Sequence, residues 1–406
     1  MTAAITPTEQ HGARAHSDGG WDAPSGRAPI QARSERFASV AHDDFPAVTG
    51  IESEWKLTPV ATVRALIDGP LDGSPYEYAV DGDASLVEWI DRTDARIGSA
   101  GIAEERAAAN AWSSFEKALA ITIPAATEAE PHRELTIRRS DLGDAPRATH
   151  TVITAKANSN ATVILQSTGS ATLSENVEIV LEEGANLTVI SVQEWASDAL
   201  HLASHFATVG RDARLKHIVV SLSGAVVRVN PSVHLVGEGA DGDLYGLYFA
   251  DAGEHFEQRV YLHHVGPNTK GRVNYKGALQ GDGARTVWVG DVLIGPDAVG
   301  TDSYEQNRNL MLTDGTRADS IPNLEIETGD ILGAGHASAT GRFDDEQLFY
   351  LQARGITETE ARRLVVIGFL SEIVQKVGNP ALEARLHAAI ETELARSAAE
   401  PKGEPA

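Results

Sequence analysis

Glu182-Glu183-Gly184-Ala185-Asn186, Gly210-Arg211-Asp212-Ala213 and Gly237-Glu238-Gly239-Ala240-Asp241 are short polar clusters set between runs where apolar and polar residues alternate. Alternation with period two is the signature of a strand with one buried face. It recurs in Val177-Glu178-Ile179, Val227-Arg228-Val229, Val233-His234-Leu235 and Val273-Asn274-Tyr275, and extends from about Glu134 to Leu332 without a long helical run. Further clusters lie at Asn158 to Ala161, Gly266 to Thr269, Gly295 to Ala298 and Asp314 to Ala318. Their alanines fall at 161, 185, 213, 240, 298 and 318, giving steps of 24, 28, 27, 58 (two repeats) and 20. A loose period in strand-only sequence predicts a solenoid, with inward Val, Ile and Leu stacked into one core and outward residues left polar. The expected architecture is mainly β, a right-handed β-helix. Periodicity leaves a β-sandwich with irregular hairpins as the alternative, and Gly281-Asp282-Gly283-Ala284 stands outside the spacing.

Both flanks read as helical. Val60, Val63, Leu66 and Ile67 recur at helical spacing after Thr58-Pro59, an N-cap with proline at the first position. Ala103 to Leu119 carries Ala109, Trp112, Phe115 and Leu119 on one stripe. Beyond the strands, a helix from Asp344 to Arg354 ends at Gly355, and Thr357 to Glu360 forms a capping box. Leu364, Val365, Gly368, Phe369, Ile373 and Val377 would line the helix that follows. Asn379-Pro380 starts the last one, with Leu382, Leu386 and Ile390 on its apolar stripe and fraying from Ala395. The expected organisation is a disordered tail (1–44), an N-terminal helical domain (45–130), a β-helix core (131–340), a C-terminal helical domain (341–396) and a disordered tail (397–406).

Composition narrows the function. Among 406 residues there are 34 Lys plus Arg and 58 Asp plus Glu, a formal charge of −24. Such a surface repels phosphate backbones and anionic lipids, so neither nucleic acid nor membrane is expected as a partner. The chain has no cysteine, which excludes disulfides and any thiolate nucleophile or ligand of its own. No apolar run is long enough to span a bilayer and no signal-peptide core precedes Asp43, which points to the cytoplasm. No nucleotide loop, zinc motif or nucleophile elbow appears.

His336-Ala337-Ser338-Ala339-Thr340-Gly341-Arg342-Phe343-Asp344-Asp345-Glu346-Gln347-Leu348-Phe349-Tyr350-Leu351-Gln352-Ala353-Arg354-Gly355-Ile356 resembles the junction of the SufB/SufD family of iron–sulfur cluster assembly proteins, where the final β-helix turn meets the C-terminal helices. Asn307 to Thr313, Ile321 to Ile326, Glu360 to Val366 with Gly368-Phe369, and Glu54-Trp55-Lys56-Leu57-Thr58-Pro59 are similar to other segments of that family. Together these cover most of the chain after Phe45. SufB-type members carry Cys where this chain has Asn307 and a His-Glu pair where it has His336-Ala337. The resemblance is therefore to the SufD type. It implies a non-enzymatic scaffold subunit that pairs with a SufB-type paralogue and with a SufC-type ATPase to build clusters. It also implies a cluster held only transiently, none being tightly bound by this chain alone.

Iron and sulfide take thiolate, imidazole and carboxylate ligands. With no thiolate, the chain can offer imidazole and oxygen, and His336 is the candidate ligand of a shared cluster or interface site. A structural histidine bonded between Gly-rich turns is the other reading. His201 and His205 are four apart in a strand region, and His263-His264 point to opposite faces, so neither pair is expected to chelate. Gly333-Ala334-Gly335 reads as turn glycine, and Glu325, Glu327 and Asp330 as a solvated acidic strand. Leu348, Phe349, Tyr350, Phe369 and Leu370 give the C-terminal helices more apolar surface than a solenoid cap needs; by resemblance they bind the ATPase. Competing readings are a secreted-type β-helix enzyme acting on acidic polysaccharide, which the charge opposes, and a homo-oligomeric structural protein, a homodimer in isolation.

Overall fold

The computed structural model describes residues 37–343 and 345–399; the outer parts of the two expected tails, 1–36 and 400–406, lie outside the described residues. Among the described residues eighteen strands form two nine-stranded sheets. From Lys117–Ile123 onward, sequence neighbours belong to opposite sheets and each strand pairs in parallel with the strand two places away, while Ala79–Asp81 and Val87–Asp91 pair antiparallel at the sheet ends. Asn186 pairs with Arg214 and Arg214 with Asp241, steps of 28 and 27 residues. Parallel pairing at this separation makes a β-helix of about eight turns and excludes a hairpin sandwich.

The polar clusters are the corners of this coil. Along one edge the residues with positive φ are Asn158, Gly184, Asp212, Gly239, Asn268 and Gly300, one per turn. Asn and Asp tolerate this left-handed conformation, and each alternates with a glycine lying under its side chain. A Cβ on Gly184 would come within 2.6 Å of Asn158 Oδ1, and one on Gly300 within 2.5 Å of Asn268 Oδ1. Gly281-Asp282-Gly283-Ala284 and Asp314 to Ala318 sit on the opposite edge, where Gly281, Gly283 and Gly315 also have positive φ. Two interleaved edges explain why one series of alanine steps could not hold both.

Inward residues such as Leu187, Val189, Leu215, Val219 and Leu244 form the central core. The outward faces are not simply polar. Ile190, Ile218, Val220, Leu247 and Phe249 are covered by helices α4 (Glu358–Val374) and α5 (Pro380–Ala399). Leu202, Phe206 and Val226 on the other sheet are covered by the N-terminal segment, which carries α1 (Val60–Asp68) and α2 (Arg106–Ser114). α3 (Asp345–Gln352) joins the last coil to α4.

Several local expectations change. Residues 37–44 are ordered: the Ser39 amide donates to the Ala103 carbonyl at 2.9 Å, and His42–Asp44 makes a 3-10 turn. The N-terminal region is not wholly helical, because Ala79–Asp81, Val87–Asp91 and Lys117–Ile123 are strands. The Ala103 to Leu119 helix stops at Ser114, and Leu119 belongs to the first coil. Thr58 does not cap α1; its hydroxyl is spent elsewhere, on Glu257. The Thr357 hydroxyl accepts from the Glu360 amide at 3.3 Å, but the Glu360 carboxylate turns to Arg363, leaving the box half formed. On α4 the buried stripe is Ala361, Val366, Leu370, Ile373 and Val374, while Leu364 is exposed. Leu364 to Leu370 is apolar almost all round, so spacing alone could not select the face. Asn379 caps α5 as expected, and that helix continues past Ala395.

Candidate functional site

The two ends of the solenoid differ. At the first, Ala79–Asp81 and Val87–Asp91 are terminal strands that pair antiparallel with Arg133–Ser140 and Lys117–Ile123, and Tyr78, Leu86 and Trp89 pack against the core there. At the last, Arg317–Ile326 and Ile331–Arg342 are terminal strands of their sheets. A terminal strand presents unpaired backbone donors and acceptors, a template for another chain. Exposed Leu332 and Ile326 border it.

His336 lies on this last strand, as do Gly333, Ala334 and Gly335, which are strand residues rather than turn residues. The register sets His336 beside Glu305, Ser338 beside Asn307 and Thr340 beside Asn309. Alternate residues share a face, so these make one polar column at the mouth of the coil. The His336 side chain is 45% exposed, and its Nδ1 stands 3.8 Å from Glu305 Oε1. Glu305 itself is fully buried, and neither carboxylate oxygen completes a hydrogen bond. Burial first, and the Asp291 charge second, push Glu305 up to about 8, with the Asn323 amide opposing them. Its carboxyl lies where Gly290 has no side chain: a Cβ there would be 2.3 Å from Oε2.

Asn307 is fully buried. Its amide donates to the Tyr248 hydroxyl at 2.8 Å, and its carbonyl oxygen accepts from Asn309 at 2.8 Å and Ser320 at 2.6 Å. The Tyr248 hydroxyl in turn donates to Asn309 at 2.7 Å. This network holds the column still. Among the described residues no group of three or more His, Cys, Asp or Glu side chains converges as a metal site. A metal at this end would draw on His336 and Glu305 and take its other ligands from elsewhere.

The five expected partner-binding residues are split. Phe349 is 71% and Tyr350 56% exposed. Leu348 and Leu370 are buried, Leu370 in the core between α4 and the solenoid, and Phe369 is half-buried under Lys276, whose Nζ sits 4.7 Å from the ring centroid. Of the five, Phe349 and Tyr350 alone are exposed, and Leu364 on α4 is likewise exposed.

The two histidine pairs set aside above are bonded within the fold. His201 lies 3.0 Å from Glu175, which Arg139 grips with both of its terminal nitrogens, 2.6 Å each. His205 Nδ1 is 2.9 Å from His217 Nε2, and burial drives His205 down to about 4. His263 is half-exposed and His264 buried, on opposite faces as expected, with His264 bonded to Thr269 and Ser303. Glu327 and Asp330 are exposed and Glu325 half-buried. Sequence reading missed Glu305, Glu175 and Glu257. The available signal for Glu305 and Glu175 was an ionisable residue at an inward position of the period-two pattern; Glu257 lies on the outward face, under the N-terminal segment that supplies Thr58.

The model of the SUF system FeS cluster assembly SufBD core domain matches residues 138–369. Iron-sulfur cluster assembly SufBD family protein ML0594 of Mycobacterium leprae is 47% identical over 366 residues, 88% of this chain and 93% of the relative. Its counterpart Rv1462 of Mycobacterium tuberculosis is 46% identical over 370 residues, 89% of this chain and 93% of the relative. A second protein of that organism, Rv1461, is 29% identical over 201 residues, 50% of this chain and 24% of that protein. The chain belongs to the SufBD family of iron–sulfur cluster assembly proteins. Among the described residues no helix is long and apolar enough to cross a membrane.

Proposed function

We propose that the chain is the SufD-type, non-enzymatic subunit of a cytoplasmic assembly machine, paired with a SufB-type paralogue and driven by a SufC-type ATPase. The observation that carries this reading is Asn307. The position where SufB-type members hold a thiolate is here a buried amide tied into the Tyr248 and Asn309 network, and no cysteine exists elsewhere in the chain. A cluster at this mouth therefore needs thiolates from a partner, with His336 contributing an imidazole. The two SufBD proteins matched in Mycobacterium tuberculosis, at 46% and 29% identity, favour a paired arrangement.

In this reading the paralogue joins at the open edge of Ile331–Arg342, and the ATPase grips α3 through Phe349 and Tyr350. Closure of two ATPase heads pulls the paired helices and strains the edge-to-edge contact, admitting iron and sulfide, which are cargo. The contact between the two solenoids is the two-state element. No cluster stays on the isolated chain, which pairs with itself when alone.

The test is purification with tagged SufB-type and SufC-type chains from one host, followed by anaerobic cluster reconstitution. The reading expects a stable ternary complex, and a lower cluster yield with H336A while the complex persists. Failure of the three chains to co-purify, or an unchanged yield with H336A, would overturn it.

A further inference from the structure

We propose that Glu305 is a second metal ligand and that, together with His336, it seats a single ferrous ion at the mouth of the solenoid before any cluster forms. The identity of the ion rests on the assembly reading above; the existence of a divalent-cation seat does not.

The inference starts from an imbalance among the buried carboxylates. Glu175 is held by Arg139 and His201. Glu178 meets His150 and the amides of Gly98 and Ala100. Glu257 meets Arg228, Arg259 and Thr58. Glu305 is as buried as these, yet no side chain bonds either oxygen, and the Asn323 amide comes near without completing a hydrogen bond. A buried carboxyl with no side-chain partner is a costly feature for a fold to keep.

Two features show that the site accommodates this group. Gly290 leaves the space that the carboxyl occupies. Across the ladder it faces a half-exposed imidazole, 3.8 Å away, on the outermost strand where solvent and ions arrive, and the Asp291 carboxylate is its other ionisable neighbour. Two donors about 2.1 Å from one ion at a tetrahedral angle are about 3.4 Å apart. The exposed imidazole can close that gap by rotation. A carboxylate oxygen with an imidazole nitrogen is a donor set suited to ferrous ion and other divalent first-row metals. Two protein ligands leave positions open for water, and later for sulfide or a partner's thiolate.

The experiment uses the full chain alone under anaerobic conditions, titrated with ferrous ammonium sulfate against a competing chromogenic chelator. Wild type should take one ferrous ion. E305Q and H336A should each weaken binding at least tenfold, while E325Q, on the neighbouring acidic strand, should stay within twofold. Wild-type affinity in E305Q, or no uptake by wild type at millimolar iron, would overturn the proposal. Should E305Q misfold by circular dichroism, wild-type crystals grown with Mn2+ decide: an anomalous peak bridging His336 and Glu305 supports the seat, and a peak elsewhere or none overturns it. A chain that binds the ion through both residues but yields no cluster with its partners would uphold the seat and overturn the assembly reading.

Discussion

The hydroxyl of Thr58 donates to the carboxylate of Glu257 at 2.8 Å, joining residues 199 positions apart. Glu257 also accepts from Arg228 at 3.2 Å and Arg259 at 2.5 Å. Those arginines reach the carbonyls of Glu54 and Ser53, and Arg228 lies 4.3 Å from the centre of the Trp55 ring. Burial alone would raise Glu257, but Arg259 and Arg228 more than offset it and hold the carboxyl well below its ordinary range. The Glu54 to Pro59 segment is thus latched to the coil through one charge. E257Q should strand the buried Arg259 guanidinium, leave Arg228 with Glu105 as its remaining carboxylate, and cost about 3 kcal/mol, read by urea unfolding. T58V should cost about 1 kcal/mol. Equal stability of E257Q and wild type would show that the latch carries no weight.

Exposure separates the apolar residues of the C-terminal helices into two experiments. F349D and Y350D replace exposed rings, so both variants should fold with an unchanged melting temperature. On the proposed function they should lose co-purification with the ATPase. L370D buries a charge in the α4 core and should destabilise the fold by more than about 3 kcal/mol. Recovery of the ATPase by F349D and Y350D would move the docking surface away from α3.

Glu254 gives a pH dependence of defined sign. It sits in the turn before His255–His264 and accepts from the amides of Asp251 and Gly224. Burial first, and then the charges of Glu393 on α5 and Asp251, push it up to about 7. A folded-state value above the unfolded one means stability is fully present below about 4.5 and is lost as pH rises to about 7. E254Q removes that loss. The two proteins should be equally stable at pH 4.5, and E254Q should be more stable by roughly 2–3 kcal/mol at pH 8. A constant difference in thermal unfolding across this range would exclude the coupling.

Asn307 offers a way to ask what a thiol would do at this position. N307C places sulfur in a buried site, where its pKa is raised and its reactivity suppressed. Alkylation by iodoacetamide at pH 8 should be at least about 100-fold slower than for a cysteine peptide. The variant should also lose about 1–3 kcal/mol, because the Tyr248 hydroxyl loses its donor. Fast alkylation would mean that the mouth opens in the isolated chain.

The β-helix was legible because its corners are written in short polar clusters and its strands in alternation. Val177, Ile179, Val227 and Val229 all point into the core as that alternation requires. What escaped was decided across coils. The Asp314 to Ala318 cluster reads as part of the Ala213 series until pairing puts it on the opposite edge. Thr58 looks like a cap until Glu257 is brought to it. Leu364 and Leu370 are indistinguishable in a helix that is apolar almost all round, and only the solenoid surface chooses between them. At the site, His336 was visible as an unusual residue in a recognisable motif. Glu305 was not, because its neighbours His336 and Gly290 come from other strands.

The two finishes of the solenoid differ in strand direction. At one, Ala79–Asp81 and Val87–Asp91 run against their neighbours; at the other, Ile331–Arg342 continues the parallel order of its sheet. A strand laid along the second tip prolongs a ladder that already runs one way, whereas at the first the order is already reversed. Polarity thus tells one tip of the rod from the other.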